Sequence, residues 1–361
     1  MAEETTTTVA TAVAANGAKT EGEKGKKRPG QSYASLVKHQ FRKNRLAVLS
    51  FYFILFMFGI AIFADFLANS KPIICSYKGS VYVPPVQQYL VDLGWSTYPA
   101  ELTNVDWKAL DYDWKVSAPI SYDAGASDLS NSFAAPFATD HYLGADQLGR
   151  DVLAGIIHGS RISLSIGFVA MGIAAVIGVV LGALSGYFGG WVDILISRFV
   201  ELFLNFPAFF LIITVVSFFD ANIWLVMIVI GITGWMSIAR LVRGEVLRVR
   251  NLEYVTAANS LGFGAVRVIF RHVLPNSLAP VLVSIAFGIA GAILTESALS
   301  FLGFGVPATV VTWGSMLNLA RTNSTAWWLA VFPGLMIFLS VVSYNLIGDG
   351  LRDALDPRLR D

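Results

Sequence analysis

The chain has 361 residues, 55% of them hydrophobic and only 14% charged, with a formal net charge of +1 and a mean hydropathy of +0.60. A soluble domain carries about 25% charged residues, so an ordinary soluble fold is excluded, and so small a net charge excludes the basic footprint of a nucleic-acid binder. The single cysteine, Cys75, excludes an internal disulfide.

Residues 1–32 are rich in Thr, Ala, Gly and Lys, lack apolar periodicity, and are predicted to form a disordered tail. A helix crossing a bilayer needs about 20 apolar residues. Six stretches without Asp, Glu, Lys or Arg meet this length: 46–64, 162–192, 202–219, 221–239, 273–295 and 322–348. The first lies too far in for a cleavable signal peptide and reads as a signal anchor. A further uncharged stretch, 297–320, is broken by Gly303, Gly305 and Pro307 and carries Asn318, so it is expected to be an outer loop or a re-entrant piece. The predicted fold class is an all-α membrane protein with six transmembrane helices.

Orientation follows from Lys and Arg in the flanks of the spans. Residues 1–45 hold nine of them and residues 240–272 hold six, whereas residues 65–151 hold five against eleven acids. Both termini are therefore expected on the cytoplasmic side, with Arg161 as an exception to the rule. Residues 33–69 form a cytoplasmic lead-in and the first span. Residues 70–150 form an extracytoplasmic loop or small subdomain containing Tyr77, Tyr82, Trp95 and Trp114. Residues 151–361 hold the other five spans and a cytoplasmic loop, 243–275.

No catalytic or metal site is predicted. The four histidines, His39, His141, His158 and His272, are scattered, and there is neither an HExxH motif nor a cysteine pair. Gly144–Asp151 reads GADQLGRD, with the glycine spacing of a phosphate loop, but Arg150 and Asp151 stand where such a loop needs Lys and Ser/Thr. Small residues recur every four positions at Ala170, Ala174, Gly178, Gly182, Gly186 and Gly190. On a helix they make one face that lets a second backbone approach closely, either inside this subunit or at a dimer seam. Arg198 and Glu201 are spaced to pair, and Asn205 and Pro207 are expected to kink the third span. Glu296 lies about 20 residues from the inner end of the fifth span, or roughly 30 Å, which places it at the outer interface. There it is expected to hydrogen-bond the irregular turn that follows, with a gating role as the alternative.

The cytoplasmic loop carries a short helical pattern. In EYVTAANSLG (253–262), Glu253 and Thr256 accompany a face of Tyr254, Ala257, Ala258 and Leu261, and Gly262 supplies a stop. A second short helix is expected at 265–273, and Pro275 opens the next span. An alanine-rich face of this size suits docking into a groove on a cytoplasmic protein better than lying on lipid.

With Gly262, Leu274 and Pro275 in place, this segment resembles the EAA loop of bacterial ABC-importer permeases, although Thr256 replaces the Glu and His272 the Ile of that pattern. HYLGADQLGRDVLAGIIHGSRISLSIG (141–167), GYFGGWVD (186–193), RHVLPN (271–276), ESALSFLGFG (296–305) and NLIGDGLRDALDPRLR (345–360) are similar to the second, C-type, subunit of the dipeptide/oligopeptide permease family. The stretch around Lys71, Pro72, Tyr77, Gly79, Ser80, Tyr82 and Pro84 resembles the longer-loop branch associated with peptide and microcin C uptake. The resemblance implies a type I importer permease in the bacterial inner membrane that is not itself an enzyme and binds no cofactor. It implies as partners a homologous second permease, two ABC ATPase subunits that hold ATP and Mg, an extracytoplasmic solute-binding protein, and peptide cargo. Helix 253–262 would couple to an ATPase. Importers of nickel, glycosides or peptide antibiotics, a secondary transporter and a channel are the rival readings. The last two lack a mid-membrane carboxylate set and a polar pore stripe.

Overall fold

Asn44 accepts a hydrogen bond from the Ala47 N–H at 3.1 Å and so caps the first spanning helix, separating α1 (Tyr33–Lys43) from α2 (Arg45–Ile62). The computed structural model describes residues 33–355 except 100, 101, 104, 106, 108, 221, 308 and 322. The predicted disordered tail, 1–32, lies outside the described residues.

After the short α3 (Ala64–Leu67), the chain forms a three-stranded antiparallel sheet of β1 (Ile74–Tyr77), β2 (Ser80–Tyr82) and β3 (Trp114–Val116), in the order β2-β1-β3. Lys78 and Gly79, with φ of 52° and 77°, close the β1–β2 hairpin with the positive φ pair that two-residue turns need. The segment expected to be a loop or small subdomain thus contains short strands within an otherwise mostly helical chain. The strands are three or four residues long, too short to register as an alternating pattern. Helix α4 (Pro84–Asp92) starts on two prolines, whose missing N–H groups cost nothing there.

The remaining α-helices are α5 (Val152–Phe188), α6 (Gly190–Leu204), α7 (Ala208–Phe218), α8 (Ile223–Val249), α9 (Glu253–Ser260), α10 (Ala265–Val268), α11 (Leu274–Ser277), α12 (Ala279–Leu302), α13 (Trp313–Leu319) and α14 (Trp328–Leu355), with a 3-10 turn at Leu129–Asn131 and a π turn at Ile269–Val273. Helices α2, α5, α8, α12 and α14 are each long and apolar enough to cross a membrane, and α6 and α7 make a sixth, broken candidate bent by 81° at Asn205–Pro207.

The seam between α5 and α8 settles the path of the chain. A Cβ on Gly178 would stand 2.7 Å from Ile238 Cβ, one on Gly182 2.5 Å from the Ala239 carbonyl oxygen, and one on Gly186 2.8 Å from Val246 Cβ. Gly231 abuts the Ala170 carbonyl in the same way, at 2.8 Å. Numbers rise together along both helices, so α5 and α8 run parallel. The connection between their ends must therefore return along the bundle, and the α6–α7 pair makes that crossing despite its bend. The small face packs inside the subunit along this seam. Gly190 departs from it: it lies beyond the end of α5 with φ of 53°, and no heavy atom comes within 4 Å of a Cβ built there.

Several span limits differ from those drawn at charges. Helix α5 begins at Val152 rather than 162, because its His158 and Arg161 are satisfied by groups after α2. Helix α8 runs past Arg240 to Val249, because Arg243 and Arg248 pair with Asp193 and Glu245. The third span begins at Gly190, taking in Asp193, Arg198 and Glu201. The fifth begins at Ala279 with Pro280 in its first turn, not at Pro275, and extends to Leu302. Residues 265–273 form α10 and the π turn instead of one helix.

Candidate functional site

Two polar clusters mark the ends of the apolar bundle. At one end, Arg161 on α5 donates to the Asp65 carboxylate at 2.8 Å, to the Tyr89 hydroxyl at 2.9 Å and to the Ala61 carbonyl at 3.0 Å. Tyr89 also donates to Asp65, and His158 Nε2 donates to the Ala68 carbonyl at 2.7 Å. Burial pushes the Asp65 carboxyl up, but its hydrogen bonds from Tyr89 and Arg161, with the charges of Arg161 and His158, pull it below its ordinary value. At the other end, Asp193 accepts from Arg243 at 2.7 Å and from Ser185, while Arg250 donates to the Gly186 carbonyl at 2.8 Å and the Tyr187 carbonyl at 3.1 Å, capping the C-terminus of α5 with a cation. Arg161 and Ser185 are 24 positions apart on one helix, or about 36 Å, enough to bracket a hydrocarbon core of about 30 Å. Arg198 and Glu201 pair at 2.6 Å on the exposed side of α6.

Beyond the Asp193 end, α9 stands out from the bundle. Val255 and Ala258 are buried in the subunit, while Glu253, Tyr254, Thr256, Ala257, Leu261 and Gly262 are exposed. Ala258 therefore departs from the expected outward face and turns inward. Glu253 sits in the first turn, where a negative charge complements the helix dipole. Gly262 adopts φ of 78° and its N–H donates to the Asn259 carbonyl at 2.9 Å, ending the helix in the conformation glycine takes without a Cβ penalty. Tyr187 at the end of α5 donates to Asn259 at 3.2 Å. Phe263 stacks on His272 and takes the Arg267 guanidinium 4.2 Å from its ring centre. This platform is braced from both sides. Its surface also carries exposed Val266 and Phe270, which sequence reasoning passed over. Their i, i+4 spacing next to Leu261 was the available signal.

Glu296 is fully buried on α12, level with the Arg161 cluster. It accepts from Ser300 at 2.7 Å, from Thr312 at 2.9 Å and from Ser297 at 3.5 Å. Thr312 is itself the N-cap of α13, in a capping box with Ser315. Trp313 adds bonds from its backbone N–H to Ser163 Oγ and from its indole N–H to the Ile156 carbonyl, each 3.1 Å. Glu296 thus clamps the 303–312 turn between α12 and α5. Nearby, the GADQLGRD segment is a folded corner. Asp146 accepts from the backbone N–H groups of Leu148 and Arg150 and from Arg150 Nε, and Asp151 caps α5 through the Ala154 N–H at 2.7 Å while meeting buried His141 at 2.8 Å. Its backbone N–H groups are taken up by its own carboxylates and by neighbouring backbone carbonyls.

Residues 178–361 match the family described as the binding-protein-dependent transport system inner membrane component, and residues 32–85 match the N-terminal transmembrane domain of oligopeptide transport permease C. The chain is 35% identical to the inner membrane ABC transporter permease protein YejE of Escherichia coli, covering 88% of this chain and 95% of that one. It is 33% identical to the peptidoglycan transport system permease protein YejE of Agrobacterium fabrum, over 88% and 91% of the two chains. To the dipeptide transport system permease protein DppC of Bacillus subtilis it is 32% identical, over 92% and 88%. A parallel, glycine-packed pair of spans, a braced helix held out beyond one end and a turn clamped at the other are thus carried by a chain that belongs to the inner-membrane permeases of binding-protein-dependent ABC transporters, in their C-type peptide branch.

Proposed function

We propose that this chain is one of two homologous membrane subunits of an ATP-driven importer that takes up peptides by alternating access. Relatives whose names give a cargo handle dipeptides in one case and peptidoglycan in another, and peptide-bearing compounds are the chemistry common to both. The end bearing α9 faces the cytoplasm, and the 70–150 segment faces outward, where a solute-binding protein delivers cargo. ATP and Mg bind to two cytoplasmic ATPase subunits, and this chain supplies no catalytic group.

The observation that carries this reading is the construction of α9. Its Tyr254, Ala257 and Leu261 are presented outward, while Val255, Ala258 and the Tyr187–Asn259 bond tie it rigidly to the bundle. A force applied to such a helix moves α5 and α8 as a body instead of bending a loop, which a rigid-body switch requires. Seated in a groove of an ATPase subunit, α9 is the coupling helix.

The test is made on the whole complex in proteoliposomes. Leu261 is 74% exposed, so Leu261→Glu leaves the fold intact but places a charge in the docking face. Gly262→Val forces a β-branched residue into left-handed backbone, at a cost of about 1–2 kcal/mol. Both variants are expected to insert normally. Leu261→Glu loses the ATPase subunits on purification, and Gly262→Val hydrolyses ATP without moving peptide. Full peptide uptake by both variants would overturn the assignment.

A further inference from the structure

Helix α4 and the residues just after it carry an outward apolar stripe that no described residue covers. Val86, Leu90 and Leu93 recur at i, i+4 and i+7, exposed by 43%, 36% and 61%, and Trp95 follows at 78%. The opposite side faces the protein: Pro84 and Pro85 are buried, Gln88 Oε1 accepts from Lys71 at 3.0 Å, and Tyr89 reaches the Asp65–Arg161 cluster. No charged residue interrupts 84–91.

The level of this helix is set by its hydrogen bonds. Asp65 follows the last residue of α2, Ile62, by three positions, and Tyr89 is bonded to it. Helix α4 therefore lies where the α2 span ends, at the height of Arg161. Immediately below, α2 exposes Leu55, Phe56 and Ile62, and its C-cap Phe63 is exposed as well, side chains that an 18-residue spanning helix presents to the membrane. The apolar stripe of α4 continues that lipid-facing surface upward. Its aromatic end, Trp95, has the amphipathic ring that settles at headgroup depth.

We infer that α4 is an interfacial helix, with Val86, Leu90, Leu93 and Trp95 inserted into the headgroup–acyl boundary of the leaflet on the side of the 70–150 segment. The helix then acts as a fixed footing for the small sheet, whose β2 enters it directly through Val83. Interfacial helices take this form when one face is apolar and the other polar, and the depth reached is about 5–10 Å. The occupant is phospholipid, not a protein. The inference needs only that the chain spans the bilayer, and does not depend on cargo or on the coupling role of α9.

The experiment uses the full complex in phosphatidylcholine/phosphatidylglycerol nanodiscs, with Cys75→Ala to remove the native thiol. Spin labels are placed singly at Val86→Cys, Leu90→Cys and Leu93→Cys, with Leu55→Cys as a lipid-exposed reference and Asp111→Cys as a water-exposed one. Assembly of each variant with its partners is checked first, and the three stripe positions guard against one label disturbing the fold. The expected result is that the stripe labels collide with oxygen in preference to a water-soluble nickel chelate, as the Leu55 label does. Chelate access equal to that at Asp111 would overturn the inference. So would labels shielded from both reagents in the complex and opened by removal of the second permease, since that result would put protein, not lipid, on the stripe.

Discussion

Glu296 and Asp65 show how differently one carboxylate can be used at the same height of the bundle. Glu296 is buried with hydroxyl donors from Ser300, Thr312 and Ser297 and acts by accepting bonds that hold the 303–312 turn. Glu296→Gln keeps a carbonyl acceptor and is expected to leave thermal stability nearly unchanged in detergent, whereas Glu296→Leu strands the Ser300 and Thr312 hydroxyls at a cost of about 1–3 kcal/mol each. Equal melting temperatures for the Gln and Leu variants would show that the clamp is not what Glu296 contributes. Asp65 works through charge. Its carboxyl is held below the ordinary 3.8, because the bonds and charge around it outweigh its burial. A depressed folded value means that its stabilisation is complete above the unfolded value and lost as pH falls through the folded one. Wild type is thus expected to melt above Asp65→Asn at about pH 6, and the gap should close as the pH drops below 3.8. A gap that stays constant across this range would remove the ionic account. Glu296's neighbourhood was legible in the sequence, because its partners lie within sixteen positions. The Asp65–Arg161 pair was not, because 96 positions separate the two residues and Arg161 alone looks like a misplaced charge.

Elements repeat the lesson with backbones instead of charges. The spacing of Gly178, Gly182 and Gly186 announces a close-packed face, and the seam with α8 is where that face is spent. What spacing cannot give is the partner or its direction, since a small-residue stripe accepts a parallel or an antiparallel neighbour from either this chain or another. Charge-free windows located every span but misplaced their ends, because a paired or snorkelling side chain can continue a helix through a charge. The short strands of the 70–150 segment were illegible for a different reason: three-residue strands are fixed by tertiary pairing, not by local pattern. The seam predicts an asymmetry between two glycines of α5. At Gly182 any side chain meets the Ala239 carbonyl and Val242, while at Gly172 a Cβ meets nothing within 4 Å. Gly182→Leu should force α5 and α8 apart and destabilise by about 1–3 kcal/mol or more, with loss of assembled complex. Gly172→Leu should assemble and melt as wild type does. If both leucine variants assembled equally well, the α5–α8 seam would not be the structural axis of the bundle.

At the scale of the whole molecule, the parallel course of α5 and α8 fixes how many times the chain crosses. The broken α6–α7 pair must carry the chain back between them, so the described residues make six crossings, and the start of α2 returns to the neighbourhood of the end of α14, where Phe41 and Ala47 pack against Gly350. Even parity places residues 33 and 355 at one end together with α9, and the 70–150 segment at the other. Geometry leaves only the hand of this arrangement relative to the cell. The proposed orientation, with α9 in the cytoplasm, rests on the excess of Lys and Arg in 240–272 over the acidic 65–151 segment. Single cysteines test both statements in a Cys75→Ala background. Asp111→Cys, on the exposed face of the small sheet's segment, should react with a membrane-impermeant maleimide in intact cells whose outer permeability barrier has been opened. Leu261→Cys should react only after the inner membrane is lysed. Reaction of Leu261→Cys alone in unlysed cells would invert the orientation and end the coupling role of α9, since no ATP is available there. Reaction of both would put 111 and 261 on one side of the membrane, which an odd number of crossings between them forbids, and would overturn the parallel course of α5 and α8.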